Sequence, residues 1–225
     1  MNMTQLVICW FCEHSESIIY KVVGMKRFCI MFFALCIIAI CFASCTNEPI
    51  TSKNEIAPKE MTQDQEDIVN LLSSNEQEIL LFDYKTEEAY KSMEFWVEIY
   101  ENGVLIDRPS GVNLFSDEAK AFDGQLAILI TQNSGFQWTF TTSENGGRVS
   151  HTSEPINSDY DTIGRAYGPI DEPVTIEDGK EIVLYTSIFS SGGISTYSDQ
   201  QMYIEQPELI ENYPYVHIIK CRFTK

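Results

Sequence analysis

Residues 93–106, MEFWVEIYENGVLI, decide the fold because a period-two pattern leads into an Asn-Gly pair and a second apolar run. Met93, Phe95, Val97 and Ile99 fall on one face of an extended chain, and the acidic side chains fall on the other. Asn-Gly favours a type I′ turn, in which both central residues have positive φ. The stretch therefore predicts a β-hairpin.

Similar patterns recur on both sides of this hairpin, and Asn145-Gly146-Gly147 predicts the turn of a second hairpin. Further strands are predicted at residues 79–84, 112–115, 126–131, 136–141, 148–151, 174–176, 182–189, 202–204 and 215–223. A total of roughly eight to ten short strands, separated by frequent turn signals, predicts an all-β fold. We expect an antiparallel β-sandwich over residues 76–225, immunoglobulin-like by default, with a jelly roll or an open barrel as the alternatives.

The segment before the sandwich has a different composition. Thr46 to Lys59 is polar, contains two prolines and shows no periodicity, which is typical of a tether. Residues 60–74 favour a short helix opened by Thr62, with Gln65 three residues later as in a capping box. Residues 45–75 are therefore interpreted as a tether with a short helix.

Residues 25–45, MKRFCIMFFALCIIAICFASC, carry two basic residues followed by an uncharged apolar run. The run is about the length of a signal-peptide core and short for a membrane span. It ends in Phe42-Ala43-Ser44-Cys45, which resembles the lipobox of bacterial lipoprotein signal peptides. Ala43, Ser44 and Cys45 match that pattern, whereas Phe42 replaces the favoured Leu.

The resemblance implies that residues 25–44 are a signal peptide cleaved before Cys45, which then carries a covalent diacylglycerol. The protein would be exported and anchored to the bacterial cell membrane or outer membrane, with its domain facing outside the cytoplasm. An uncleaved single-span anchor and a buried core helix are the alternatives. Because a signal peptide begins at its basic residues, we expect translation to start at Met25 and residues 1–24 to be a mis-called extension.

Charge argues against nucleic-acid binding. Beyond residue 44 the chain keeps 12 of its 15 basic and 31 of its 33 acidic residues, a net charge of −19. Nucleic-acid binding needs cationic surfaces that neutralise phosphates. Such acidity is typical of a soluble, self-repelling domain outside the cell, and cation binding by an acidic patch is the alternative.

Cysteine usage excludes an intrachain disulfide in the cleaved protein. Five of the seven cysteines precede residue 45, Cys45 takes the lipid, and Cys221 then stands alone. Cys221 lies in an apolar strand pattern, so a buried, inert thiol is favoured over a nucleophile.

No pattern predicts an enzyme or a cofactor. His151 and His217 lie in separate predicted strands without the spacing of a zinc site, and no nucleophile elbow is present. Asp159 and Asp161 are weak candidates for Ca²⁺ ligands, without the spacing of an EF-hand. A small hydrolase with its site in residues 153–180 remains an alternative.

The most suggestive constellation is aromatic. Tyr160, Tyr167, Tyr197 and Tyr213 lie in loops or at strand ends beside planar polar side chains, an arrangement suited to stacking against a sugar or a peptide. The alternative is that these tyrosines only fill the ends of the sandwich. We therefore expect a non-catalytic, lipid-anchored envelope protein that binds a protein or a glycan; an accessory glycan- or solute-binding lipoprotein of an uptake system is the alternative.

Overall fold

The computed structural model describes residues 54–73, 76–133, 135–156 and 164–225. Cys45 with its lipobox, Met25, Asp159, Tyr160 and Asp161 lie outside the described residues, so those predictions stay predictions. Within the described ranges, no helix has both the length and the apolar composition needed to span a membrane.

The architecture is an all-β sandwich of two antiparallel sheets, as predicted. The elements in chain order are β1 (Asn54–Pro58), α1 (Gln63–Leu72), β2 (Gln77–Thr86), β3 (Tyr90–Glu101), β4 (Val104–Asp107), β5 (Gly111–Lys120), β6 (Asp123–Thr131), β7 (Gln137–Glu144), β8 (Gly147–Thr152), β9 (Gly164–Pro169), β10 (Val174–Thr175), β11 (Glu181–Ser190), α2 (Met202–Glu205), α3 (Glu208–Glu211) and β12 (Tyr215–Thr224).

The first sheet has the order β10-β1-β2-β6-β7-β8, and the second has the order β4-β3-β12-β11-β9 with β5 also paired to β3. The expectation of an immunoglobulin-like strand order is not confirmed, because β6, β7 and β8 follow one another as a meander within one sheet. The two facing surfaces enclose the main core, in which Phe82, Trp138, Phe95 and Phe223 are almost fully buried. Each such side chain contributes about 1.5–3 kcal/mol through burial.

Both Asn-Gly hairpins form as predicted. Asn102 and Gly103 join β3 to β4 with φ values of 48° and 79°. Asn145 and Gly146 join β7 to β8 with φ values of 49° and 78°. Positive φ at both central positions is the signature of the type I′ turn, so the local sequence alone set these connections.

The start of the domain was predicted wrongly. Asn54–Pro58, assigned above to the tether, is strand β1 and pairs with both β2 and β10. Its only fully buried residue is Ile56, so a strand this short has no readable alternation, and its register comes from residues 82–86 of β2. The predicted helix is confirmed as α1, with the full capping box between Thr62 and Gln65.

The strand predicted at Met202-Tyr203-Ile204 is also wrong, because these residues form the short helix α2. Three apolar residues are too few to distinguish the helical period from the strand period. The outer face of the second sheet decides the outcome, since Tyr203 and Ile210 pack against Val183 and Ile188 of β11 in a second apolar cluster.

Residues 196–203 lie over the outer face of the second sheet, and we call them the covering segment. The side chain of Gln201 holds this segment against the sheet. β9 pairs with β11 only as far as Tyr185, so the backbone of Val183 lies beyond its reach. The Val183 N–H donates to Gln201 Oε1 at 3.1 Å, and Gln201 Nε2 donates to the Val183 carbonyl at 2.8 Å. One amide thus replaces a strand partner and fixes residues 196–203 above the sheet.

Candidate functional site

A pocket of about 470 Å³ lies where the covering segment meets the outer face of the second sheet. We call it the tyrosine pocket. Its lining consists of Tyr167, Gly168, Thr186, Thr196, Tyr197, Ser198, Gln200 and Tyr203. The volume lies within the range of small-molecule sites in proteins, and none of the lining side chains is charged.

Three buried oxygen atoms in this lining have no hydrogen-bond partner among the described residues. They are Thr186 Oγ1, Gln200 Oε1 and the hydroxyl of Tyr203, on residues that are 2%, 4% and 2% exposed. The Tyr203 hydroxyl lies near the Tyr197 backbone, but without the geometry of a hydrogen bond. An unsatisfied buried polar group costs about 1–3 kcal/mol, so a ligand that pairs with these atoms would recover free energy.

The protonation state of Tyr203 suits it to donate a hydrogen bond. Burial raises the pKa of the Tyr203 hydroxyl to about 12, so the hydroxyl keeps its proton at neutral pH. Gln200 is held in place by its amide, which donates from Nε2 to the Tyr197 carbonyl at 2.8 Å. The pocket therefore offers two hydroxyl groups that donate or accept and one oriented acceptor.

The four tyrosines predicted as a binding surface do not form one strip. Tyr197 and Tyr203 meet edge to face at 6.0 Å and supply the aromatic surface of the pocket. Tyr167 contributes to the rim, but it lies opposite Ser187 in the ladder, and its ring stacks against the Arg165 guanidinium at 4.2 Å. Its ring therefore lies on the face of β9 that points between the two sheets, not on the outer face that carries the pocket.

Tyr213 has a structural contact away from the pocket. Its hydroxyl donates to the Ser195 carbonyl at 3.0 Å and accepts from the Ser195 N–H at 3.1 Å. Of the predicted residues, Tyr197 thus supplies its ring to the pocket, Tyr167 contributes only to the rim, Tyr213 braces the loop beside it, and Tyr160 is outside the described residues.

Sequence reasoning missed Thr186 and Gln200 as site residues. Thr186 lies in a strand whose outer face gives no sign of being covered, and Gln200 belongs to a polar loop 14 positions later in the numbering. Only the fold brings them together, since the docked Gln201 amide carries its neighbour over β11.

A second pocket of about 360 Å³, the charged groove, lies beside β3 and β5 on the same sheet and is lined by Trp96, Arg108, Glu181 and Arg222 among others. Its charges already pair with one another. Arg222 contacts Glu94 at 2.8 Å, and Arg108 contacts the buried Glu98 at 2.5 Å. We interpret the groove as the edge of a structural network, because the oppositely charged side chains satisfy one another.

Glu98 is the centre of that network. It accepts from Trp96 Nε1 at 3.1 Å and from the Tyr100 hydroxyl at 2.6 Å, and Lys220 Nζ lies 2.7 Å away. Burial alone would raise the pKa of Glu98, but the hydrogen bonds from Lys220 and Tyr100 and the Lys220 charge outweigh it and lower the pKa to about 2. The carboxylate is therefore ionised and fully engaged.

A further polar cluster lies between the sheets. Arg165 donates to Ser187 Oγ at 2.6 Å and to Glu78 at 3.1 Å, and it also contacts the Tyr185 hydroxyl. Burial raises the pKa of Glu78, although the Tyr185 hydrogen bond and the Arg165 charge oppose the shift. These groups bridge β2 to β9 and β11 across the sandwich.

The remaining candidates are widely separated. His151 is exposed on β8, whereas His217 is buried among the rings of Phe136, Trp138 and Phe189. Cys221 is buried as predicted, and burial raises the pKa of its thiol. In the part of the chain that the structure describes, no group of three or more His, Cys, Asp or Glu side chains is placed to hold a metal ion.

The comparison with protein families gives a match over nearly all of the described sandwich. The family model of the YgaN domain matches residues 55–223, from the start of β1 to the end of β12. Among the curated proteins and the solved structures, none matches this chain. Because the matched region covers well over half of the sequence, the chain belongs to the YgaN domain family.

Proposed function

We propose that this protein is a lipid-anchored cell-envelope protein that binds a glycan in the tyrosine pocket without catalysing a reaction. The observation that carries the proposal is the set of three buried oxygen atoms, on Thr186, Gln200 and Tyr203, that lack a partner among the described residues. Together with the ring of Tyr197, they give an uncharged, hydroxyl-rich and aromatic lining. Sugars present ring faces that stack on aromatic side chains and hydroxyls that pair with such oxygen atoms.

The anchoring part of the proposal rests on the lipobox-like sequence at residues 42–45. Metabolic labelling with an alkyne fatty acid in a bacterial host tests it. We expect label on the wild-type chain and none on Cys45→Ala, and the wild-type protein should fractionate with membranes. Label that persists in Cys45→Ala would contradict the assignment of the lipidated residue.

Binding is tested with the full chain in mild detergent, applied to a glycan panel and followed by calorimetry on the retained glycan. Thr186→Val and Tyr203→Phe each remove one unpartnered oxygen atom with little change of shape. Each variant should lose about tenfold in affinity, yet be as stable as the wild type or more so, because a buried polar atom without a partner is removed. Lost affinity combined with unchanged or increased stability distinguishes a binding role from a structural one.

Two further variants control this experiment. Thr139→Val makes the same chemical change on the outer face of the first sheet, where the hydroxyl pairs with Thr152 at 2.9 Å, and should leave glycan affinity unchanged. Gly168→Val should fill the pocket, since a Cβ at this position would lie in ordinary contact, 3.9 Å from Gln200 Nε2. If the protein retains no glycan but captures an envelope protein, the proposed ligand is wrong and the partner is a protein.

A further inference from the structure

A smaller pocket of about 250 Å³ adjoins the tyrosine pocket and shares Ser198 and Gln200 with it. We call it the acidic pocket, because Asp171, Glu172 and Asp199 belong to its lining and no basic residue does. The loop between β9 and β10 supplies two of these side chains, and the covering segment supplies the third. The two pockets thus meet at Ser198 and Gln200, and their linings differ in chemistry.

The three carboxylates make no ion pair with a basic side chain within the described residues. Asp199 Oδ1 accepts one hydrogen bond from the Gln201 N–H at 3.0 Å, which leaves its other lone pairs available. The charged groove is different in this respect, because its carboxylates Glu94 and Glu181 pair with Arg222 and Lys220. A ligand cation would therefore find carboxylates that have no competing cation of their own.

Gln200 connects the two ends. It is 4% exposed and lines both pockets, and its Oε1 has no hydrogen-bond partner among the described residues. Because Nε2 is occupied by the Tyr197 carbonyl, the amide cannot rotate to offer a donor without losing that bond. The ligand group that reaches Oε1 must bring an O–H or N–H donor.

We propose that the two pockets together select a sugar with a free, protonated amino group over neutral and acidic sugars. The proposal rests on the proposed function, since it places the sugar ring in the tyrosine pocket and the ammonium group toward Asp171, Glu172 and Asp199. An ammonium group carries three N–H donors and a positive charge, so its chemistry matches both the acceptor on Gln200 and the carboxylates. A uronic acid brings an acceptor-only anion to the same place, where like charges repel.

The test compares three oligosaccharides of equal length and the same linkage: a chitosan oligomer, a cello-oligosaccharide and an oligoglucuronate. Each is titrated into the full chain in mild detergent at pH 6 and followed by calorimetry. We expect the chitosan oligomer to bind about fivefold more tightly than the cello-oligosaccharide, the scale of one exposed ion pair. The oligoglucuronate should bind most weakly, and added salt should narrow the differences.

The protein is acidic throughout, so a control must separate the pocket from general charge attraction. Asp171→Asn combined with Asp199→Asn removes two charges, while the amide oxygen introduced by the second substitution can still accept from the Gln201 N–H. This double variant should lose the preference for the amine and keep the affinity for the cello-oligosaccharide. Asp117→Asn, at an exposed position of β5, should change neither.

The outcomes separate the two proposals. If the cello-oligosaccharide or the oligoglucuronate binds best, or if the double variant keeps the amine preference, this inference is overturned and the proposed function stands. If none of the three oligomers binds and the wider glycan panel is also empty, both are overturned. A preference for the amine that disappears only in the double variant supports both.

Discussion

At the scale of single residues, buried ionisable groups control how stability responds to acid. Glu98 is 1% exposed and is surrounded by Trp96, Tyr100, Arg108 and Lys220. His217 is equally buried, but aromatic rings surround it. Glu98 is held ionised and His217 is held neutral. Both arrangements make the folded protein more stable at neutral pH than at acidic pH.

Replacing Glu98 tests the network. Its pKa of about 2 lies below the ordinary 4.5, so its contribution is complete above pH 4.5 and is lost as pH falls toward 2. Glu98→Gln should cost about 3 kcal/mol at pH 7, because the cations around it lose their buried partner. In urea denaturation, the difference in the free energy of unfolding between the wild type and Glu98→Gln should be about 2 kcal/mol smaller at pH 3 than at pH 6. A gap that is constant with pH would contradict this, and the exposed Glu118→Gln should show neither effect.

Replacing His217 should weaken the acid sensitivity of the fold. Burial lowers the pKa of His217 from 6.5 to about 3, helped by the nearby Arg165 charge. Between those values only the unfolded chain binds the proton, so stability falls with pH by about 2 kcal/mol from pH 6.5 to pH 5. In His217→Leu, the free energy of unfolding should lack this part of the decline between pH 7 and pH 5, as measured by urea denaturation at both pH values. The exposed His151→Leu should retain it, and equal declines in the two variants would rule out the explanation.

At the scale of elements, the two hairpin turns share the same local backbone conformation but differ in their tertiary packing. Gly103 and Gly146 have almost the same φ, 79° and 78°. A Cβ on Gly103 would lie 2.5 Å from Glu211 Cγ and 3.0 Å from its Cα, whereas a Cβ on Gly146 would meet nothing within 4 Å. The first turn therefore packs against α3, and the second is open to solvent.

This pair of turns gives a matched comparison. Gly103→Ala and Gly146→Ala should each lose about 1 kcal/mol to the left-handed backbone. Gly103→Ala should lose about 1–2 kcal/mol more, because its Cβ displaces the Glu211 backbone. Thermal or urea denaturation of both variants measures the difference. Equal losses would show that α3 moves aside without cost.

The same difference between local and long-range interactions explains which elements could be predicted from the sequence. The two turns and the Thr62 capping box depend on residues within four positions of one another, and all were predicted correctly. Strand β1 and helix α2 depend on partners far along the chain, β2 for Ile56 and β11 for Tyr203, and both were predicted wrongly. The tyrosine pocket is assembled from β9, β11 and the covering segment, so its aromatic residues were recognisable but its buried oxygen atoms were not.

At the scale of the whole molecule, Cys221 reports on global unfolding. It is fully buried in β12 between the two sheets, and burial raises the pKa of its thiol, so the folded protein presents neither access nor thiolate. Alkylation mapped to Cys221 by mass spectrometry should be undetectable without urea and should follow the same urea transition as tryptophan fluorescence. Rapid labelling without urea, or a transition at lower urea, would indicate that the second sheet opens separately.

The position of β12 also sets the order in which the molecule is built. It pairs with β3 on one side and β11 on the other, so it is the innermost strand of its sheet, yet it is made after every other strand described. Until residues 215–224 have emerged, β3 and β11 each carry an unpaired edge and an apolar face. The second sheet therefore cannot close before its last strand is inserted, and a chain that lacks β12 would expose the edges and apolar faces of β3 and β11, which favours aggregation.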